Sequence, residues 1–292
     1  MARAVLVFIG ADDGLTLLTD PGDTGRWRRA DLSLPGAPVT GLWVNRANPL
    51  VVLAIAAGSL YRSTDGGQNW RVEMHGAGLS GPYGSRAHPP HVYVTAGDTL
   101  LHSADSGTTW TSIRLPAPCT ALAAGGDGRL HVAPGTQALI SRDGGATWEP
   151  AGMALPAAIS VLATIPGPTE TLCALAGGVV YCAEHGTWRT PAGTPGNATQ
   201  LAVLPGSPPT LLIALASGGM MRGTQLEWEH PAASLPWSDV TTVIAPSGYH
   251  MDCVFAGSET GAIALSVNRG RSWNVVYRGM AATRSIASAR LA

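Results

Sequence analysis

The residues of this chain best suited to catalysis are three carboxylates, Asp12, Asp13 and Glu259. Hydrolysis of a glycosidic bond needs two carboxyl groups, one to protonate the leaving oxygen and one to act as nucleophile or base. All three lie in predicted turns near opposite ends of the chain, which a closed fold would bring together. Charged residues in turns usually face solvent. Glycan hydrolysis is therefore the alternative hypothesis rather than the preferred one.

A second group of residues is suited to binding. The longest predicted connection between repeats runs from Glu73 to Arg86 and contains Tyr83; it is either a partner-contacting loop or a solvated Gly/Pro-rich loop. Trp237 follows a Leu-Pro pair in another connection, where an exposed tryptophan would anchor a partner. Arg86 and Arg284 stand at the starts of predicted inner strands. We expect them to flank the mouth of a central channel, where an acidic peptide could dock.

Composition excludes several classes of function. All 18 basic residues are arginine, which rules out a Schiff-base lysine and a phosphate-loop lysine. Only 13% of the residues are charged and the net charge is -1, so nucleic-acid binding is not expected. No apolar run approaches the ~20 residues of a membrane span. We therefore expect no membrane insertion and a cytoplasmic location.

Neither a cofactor nor a metal ion is expected. The four cysteines, Cys119, Cys173, Cys182 and Cys253, lack metal-ligand spacing. If Gly177–Gly178 is a two-residue hairpin turn, Cys173 lies opposite Cys182 on neighbouring strands. The sequence leaves open whether they form a disulfide. A reducing compartment favours two buried thiols.

A regular spacing of tryptophans predicts the elements that position these residues. Successive members lie 43, 40, 38, 40, 40 and 45 residues apart, and each follows short apolar segments bounded by turn residues. They are Trp27, Trp70, Trp110, Trp148, Trp188, Trp228 and Trp273. A period near 40 residues with strand-like segments is typical of a β-propeller. The prediction is an all-β, seven-bladed propeller of four-stranded antiparallel blades.

The two ends of the chain predict how the ring closes. The first repeat lacks an inner strand, and the segment from Thr283 to Leu291 resembles the inner strands of the other repeats. Donating it to the first blade would leave no exposed strand edge there. The predicted single domain covers residues 1–292. Its blades are 1–33 with 283–292, 34–76, 77–115, 116–154, 155–193, 194–234 and 235–282.

Four of the tryptophans close a repeated polar phrase. Its copies are Ser63-Thr-Asp65-Gly66-Gly67-Gln-Asn-Trp70, Ser103-Ala-Asp105-Ser-Gly107-Thr-Thr-Trp110, Ser141-Arg-Asp143-Gly144-Gly145-Ala-Thr-Trp148 and Ser266-Val-Asn268-Arg-Gly270-Arg-Ser-Trp273. An aspartate in such a hairpin accepts hydrogen bonds from nearby backbone amides, and a glycine takes the positive φ that the turn needs. The tryptophan wedges between sheets. These residues are predicted to be structural.

The phrase resembles the Asp box, or BNR repeat. This repeat occurs in sialidases, sortilin-type receptors, xyloglucan-degrading enzymes and photosystem II assembly factors. The resemblance implies that the phrase lies on the face opposite the ligand site. It does not carry the sialidase chemistry, because the chain has no Arg-Ile-Pro sequence and no tyrosine that stands out as the nucleophile.

These observations together favour a non-enzymatic scaffold. The chain lacks the motifs of the common hydrolases and nucleotide-binding enzymes. The predicted partner is a protein or peptide, and the chain would act as an assembly factor or as a subunit of a larger complex. The alternative is a hydrolase of the sialidase or xyloglucanase type that uses carboxylates on the loop face.

Overall fold

The computed structural model describes residues 4–167, 170–184, 186–224, 227–229 and 235–291. Within these ranges the chain forms 28 strands in seven four-stranded antiparallel sheets and no helix. The predicted fold class is therefore confirmed: the protein is a seven-bladed β-propeller.

The strands follow one another along the chain in sets of four, and blade 1 takes its inner strand from the C-terminus. They are β1 (Ala4–Ala11), β2 (Gly14–Pro21), β3 (Arg28–Ser33), β4 (Val39–Val44), β5 (Val52–Ala56), β6 (Ser59–Ser63), β7 (Arg71–His75), β8 (Leu79–Gly84), β9 (Val92–Ala96), β10 (Thr99–Ser103), β11 (Thr111–Arg114), β12 (Ala121–Ala124), β13 (Leu130–Ala133), β14 (Leu139–Ser141), β15 (Glu149–Pro150), β16 (Ile159–Ile165), β17 (Thr171–Ala176), β18 (Val179–Glu184), β19 (Thr187–Arg189), β20 (Ala198–Leu204), β21 (Thr210–Leu215), β22 (Met220–Gly223), β23 (Trp228–Glu229), β24 (Thr241–Pro246), β25 (Val254–Ser258), β26 (Ile263–Ser266), β27 (Asn274–Tyr277) and β28 (Thr283–Leu291).

The position of a strand in its blade explains its composition. The second strand is covered on both faces by neighbouring blades, so it reads as a continuous apolar run. In blade 2 this strand, β5, reads Val-Leu-Ala-Ile-Ala and is buried along its whole length. The outermost strand, β7, reads Arg-Val-Glu-Met-His and has no buried residue. The inner strands line the central channel.

The repeated tryptophans hold neighbouring blades together. Seven hydrophobic clusters lie between adjacent blades, and each contains one of the seven tryptophans packed against the preceding blade. At the junction of the chain ends, the ring of Trp27 meets Phe255 of blade 7 edge-on, with centroids 6.0 Å apart. The tryptophan wedge predicted from the spacing therefore contributes to every contact between neighbouring blades.

The ring closes between the two chain ends. Strand β28 pairs antiparallel with β1, from Ala4 opposite Leu291 to Ala11 opposite Thr283. The sheet of blade 1 has the order β28-β1-β2-β3. This confirms the prediction that the C-terminal strand completes the first blade.

The register around Gly177–Gly178 places Cys173 directly opposite Cys182. Both are buried free thiols. Burial and the neighbouring Cys182 raise the pKa of the Cys173 thiol well above its usual range. A thiol in such surroundings is a poor nucleophile.

The Asp-box turns share one hydrogen-bond pattern. The Asp65 Oδ1 atom accepts from the backbone N–H of Gln68 at 3.0 Å and of Asn69 at 2.9 Å, and from Ser63 Oγ at 2.8 Å. Asp105 and Asp143 accept equivalent bonds. These donors favour the ionised carboxylate and lower the pKa of each aspartate to about 2.

Deletion of residues 283–292 tests the closure. Removal of β28 exposes the edge of β1 and opens the contact between blades 1 and 7, so we expect loss of the cooperative thermal transition measured by circular dichroism. The control is Ile286→Ala, which truncates one buried side chain of β28 and keeps its backbone pairing. It should cost about 2–5 kcal/mol and leave the transition cooperative. A deletion variant that still unfolded cooperatively would contradict the closure.

The Asp boxes predict an acid-dependent loss of stability. Because the folded pKa of about 2 lies below the ordinary 3.8, each aspartate stabilises the fold above pH about 4, and this contribution is lost as the pH falls towards 2. Asp65→Ala should lower the melting temperature at pH 7. Asp65→Asn should keep most of the turn, as Asn268 does in blade 7, where its Oδ1 accepts from the Ser272 N–H at 2.9 Å.

Melting temperatures of the wild type and the two Asp65 variants between pH 2 and pH 7 check this prediction. Asp65→Asn should show a shallower decline on acidification than the wild type, because its amide does not titrate. An Asp65→Ala variant as stable as the wild type at pH 7 would show that the Asp box is not structural.

Candidate binding site at the central channel

The central channel is the largest feature shared by all seven blades. It encloses a cavity of about 540 Å³, lined by inner-strand residues such as Leu42, Trp43 and Leu162. The lining residues are uncharged except for Arg86 and Arg284. The channel therefore offers an apolar and hydroxyl-bearing wall with charge confined to its ends.

The two mouths of the channel lie on different faces. The link face carries the connections between blades and the turns between second and third strands, including Asp12 and Glu259. The Asp-box face carries the Asp-box turns and the loops between first and second strands. Arg284 is the second residue of β28 and lies at the link face, whereas Arg86 lies two residues beyond the end of β8 at the Asp-box face.

The prediction that Arg86 begins an inner strand is wrong. Strand β8 spans Leu79–Gly84 and therefore occupies most of the segment predicted as a long connection, leaving only Gly76–Gly78 between β7 and β8. Arg86 and Arg284 consequently stand at opposite ends of the channel. They do not flank a single mouth.

At the link face, Arg284 is neutralised by one of the predicted catalytic acids. Its Nε and one terminal nitrogen donate to the two oxygens of Asp12, each at 2.7 Å. The bond from Arg284 lowers the pKa of Asp12, and the same contact together with the charge of Glu259 raises the pKa of Arg284. Asp13 is exposed and makes no ion pair among the described residues.

This arrangement disfavours Asp12 as a general acid. A carboxyl group that protonates a leaving oxygen near neutral pH needs a raised pKa, usually obtained by burial or by a neighbouring negative charge. Asp12 has a guanidinium group on both oxygens instead. The pair is a bidentate clamp between the turn after β1 and the start of β28.

Tyr83 and Trp237 occupy more enclosed positions than predicted. Tyr83 lies in β8, where its hydroxyl is 3.0 Å from Ser80 Oγ and burial raises its pKa. Trp237 is half-buried, and its Nε1 donates to Thr241 Oγ1 at 3.2 Å while the ring packs against the cluster between blades 6 and 7. The prediction of an exposed anchor at Trp237 is therefore not matched by its surroundings.

The Asp-box-face mouth contains an arginine that sequence reasoning missed. Arg46 follows β4 as Arg86 follows β8, and both line two adjoining cavities of about 190 and 400 Å³. Both side chains are exposed, yet the protein atoms beside each guanidinium group lower its pKa, and the charge of Arg46 lowers the pKa of Arg86 further. An alignment of the sequences at the ends of β4 and β8 would have placed Arg46 and Arg86 at equivalent positions.

A separate cavity of about 710 Å³ lies between blades 4 and 5. Beside it, His131 Nε2 is 3.7 Å from Glu170 Oε1, and each side chain is 6% exposed. The second oxygen of Glu170 accepts from the N–H of Gly126 at 2.7 Å. His131 Nδ1 and Glu170 Oε1 have no hydrogen-bond partner in the described part of the chain, and both atoms are shielded from solvent. Both residues line this cavity, although little of either side chain is exposed.

Three histidines line up on the Asp-box face of blade 3. His91 Nδ1 is 3.1 Å from His102 Nε2, and the ring of His88 lies 5.0 Å from that of His91. Burial lowers the pKa of both His91 and His102. Within the described ranges, no group of three or more His, Cys, Asp or Glu side chains is arranged to hold a metal ion. The described residues also contain no helix long and apolar enough to cross a membrane.

Comparisons with known proteins agree with the repeat and the fold. The BNR/Asp-box repeat model matches residues 61–72. No curated protein sequence matches the chain significantly. The structure is similar to YCF48 from Cyanidioschyzon merolae, with a TM-score of 0.62 and 13% identity over 82% of this chain and 84% of that one.

Two further solved structures share the architecture. YCF48 bound to D1 peptide has a TM-score of 0.60 and 16% identity, covering 82% of each chain. The GH74 xyloglucanase from Xanthomonas campestris has a TM-score of 0.62 and 17% identity over 94% of this chain and 47% of that one. This chain thus spans about half the length of the xyloglucanase.

Together, these findings define the chain as a seven-bladed β-propeller that carries the BNR/Asp-box repeat. At such low identities the structural likeness establishes the fold alone, because one fold supports many functions. The function of this chain therefore depends on the chemistry of its own site.

The state of the Asp12 carboxyl gives a direct test of the link-face site. We expect an NMR titration to give Asp12 a pKa below the ordinary 3.8, and Arg284→Gln to raise it towards that value because the donating guanidinium is lost. Arg114→Gln, on the outer strand of blade 3, serves as the control and should leave the value unchanged. A pKa of Asp12 raised above 3.8 in the wild type would restore it as a candidate general acid.

Proposed function

We propose that this protein is a non-enzymatic scaffold that binds a protein or peptide partner through its central channel, as an assembly factor or a subunit of a larger complex. The observation that carries the proposal is the contrast between the two candidate sites. The acid at the link face is engaged by Arg284, whereas the channel wall is open and uncharged.

The channel wall suits a polypeptide better than a glycan-cleaving centre. Leu42 and Val243 supply partly exposed apolar surface, and Trp43 adds a half-buried aromatic ring. Apolar surface of this kind stabilises an associated chain as it leaves water. A rigid wall also lowers the entropy lost on binding, because few of its groups must be ordered.

The solved complex of YCF48 with D1 peptide supports the proposal, since a similar propeller there accommodates a peptide. The likeness to a xyloglucanase keeps glycan hydrolysis as the alternative. One observation favours that alternative: Asp12 and Glu259 lie near the same mouth, close enough for both charges to act on Arg284. The two hypotheses therefore place the active surface in different regions.

Affinity capture from the native host, combined with channel and surface variants, tests the proposal. Thr40 is an exposed residue of β4 in the channel, and Thr40→Arg would place a long charged side chain across the lumen. Ser112→Arg, on the exposed outer strand β11, is the matched control. A partner recovered stoichiometrically by the wild type and Ser112→Arg should be lost from Thr40→Arg.

The same preparations are assayed for turnover of a glycan library. Hydrolysis that Asp12→Asn or Glu259→Gln abolishes would replace the scaffold by the hydrolase. A partner retained in full by Thr40→Arg would show that binding does not use the channel.

A further inference from the structure

In each of blades 2 to 7 a loop joins the inner strand to the second strand. One residue position in this loop is equivalent in all six blades. In four blades the residue before it donates its backbone N–H to a carbonyl at the far end of the loop: Asn45 to Val51, Ser85 to His91, Gly125 to Arg129 and Ser247 to Cys253, at 2.8–3.0 Å. In the other two loops the residue before the equivalent position is a proline, Pro166 or Pro205. This backbone pattern aligns the loops independently of where each strand is judged to end.

The residue at the repeated position is glycine in four loops and arginine in two. The glycines are Gly126, Gly167, Gly206 and Gly248, and the arginines are Arg46 and Arg86. Blades 2 and 3, which carry the arginines, are adjacent. The rim of the Asp-box-face mouth therefore consists of small residues on one side and two neighbouring guanidinium groups on the other.

Neither guanidinium group is neutralised within the described part of the chain. No ion pair or hydrogen bond engages the side chain of Arg46 or Arg86 there, although most other arginines of the protein are paired. Glu170 lies near enough for its charge to act on Arg86, but its oxygens are directed to Gly126 and His131. Both side chains are exposed at this mouth, and two adjacent cations without an internal partner favour a ligand of opposite charge.

The space beside the pair has room for more than an inorganic ion. Both arginines line a cavity of about 400 Å³ whose other walls include Pro166, Tyr249 and Met251. These walls are largely apolar and carry no carboxylate among the lining residues. An organic group attached to the anion would therefore leave water on binding.

We infer that Arg46 and Arg86 form a binding site for an organic oxyanion, a phosphate ester or a dicarboxylate, at the Asp-box-face mouth of the channel. Two guanidinium groups match a dianion in charge, and their forked N–H groups match the planar geometry of carboxylate and phosphate oxygens. The organic body lies in the adjoining cavity. Arg86 also lines the end of the channel, but the site proposed here uses the adjoining cavity, and its test with small dianions does not depend on the scaffold proposal.

Isothermal titration calorimetry with phenyl phosphate and phthalate tests the site. Phenol is the control that has the aromatic ring but no dianionic group. Inorganic phosphate is the control that has the charge but no aromatic ring. We expect a dissociation constant in the millimolar range or below for at least one of the two organic dianions, tighter than for phenol or inorganic phosphate.

Arg46→Gly and Arg86→Gly are the decisive variants, because glycine already stands at this position in four other blades and the loop conformation accepts it. Each should weaken binding about tenfold or more, since a charge-assisted contact is worth ~1.5–3 kcal/mol. The matched control is Arg114→Gln, an exposed arginine of blade 3 paired with Asp98 at 2.8 Å, which should bind like the wild type.

Unchanged melting temperatures establish that the variants are folded, and Arg86→Lys provides a charge-retaining variant if either glycine variant is unstable. Partial retention of binding by Arg86→Lys supports the site. The inference is overturned if neither dianion binds, if binding is no tighter than that of phenol, or if affinity is the same in the arginine variants and the wild type.

Discussion

The pairing of β28 with β1 is the interaction on which the rest of the structure depends. Six of the seven contacts between blades join segments that follow one another along the chain, and the seventh joins the two ends. Without that pairing, blade 1 would lack its inner strand and the cluster around Phe255 would lose one side.

The seven tryptophans act at the next level. Each fills the space between its own sheet and the preceding one near the Asp-box face. In blades 2, 3 and 4 the Asp-box carboxylate holds the turn from which the tryptophan projects. In blade 2, Trp70 Nε1 donates to the Gly67 carbonyl at 2.9 Å, which ties the ring to the turn. The polar Asp-box turn and its tryptophan therefore form one structural unit. The inner strands and the short loops beside them are not part of this unit, so their sequences are free to vary.

The fold could be predicted from the sequence because a tryptophan recurs at a regular spacing in every repeat. Tryptophan spacing counted the blades, and the surplus segment from Thr283 to Leu291 indicated the closure. The position of β8 could not be predicted in the same way. This strand contains Gly81 and Pro82 and has an irregular register between Ser80 and Tyr83, so it does not read as a strand. Arg86 was assigned to the wrong face of the molecule as a result.

The candidate sites depended on side-chain partners that no linear pattern contains. The clamp between Asp12 and Arg284 joins residues 272 positions apart, and it converts an apparent catalytic acid into half of an ion pair. Arg46 was overlooked because its significance lies in its equivalence to Arg86 and to four glycines, which becomes visible once the loops are aligned by their backbone hydrogen bonds.

We propose that this propeller holds a partner in its channel and does not cleave a glycan at the link face. A crystal structure of the complex with its captured partner tests this most directly. We expect a segment of the partner in contact with Leu42 and Trp43 of the channel wall. A partner bound only to the outer strands, or a glycan lying between Asp12 and Glu259, would contradict it.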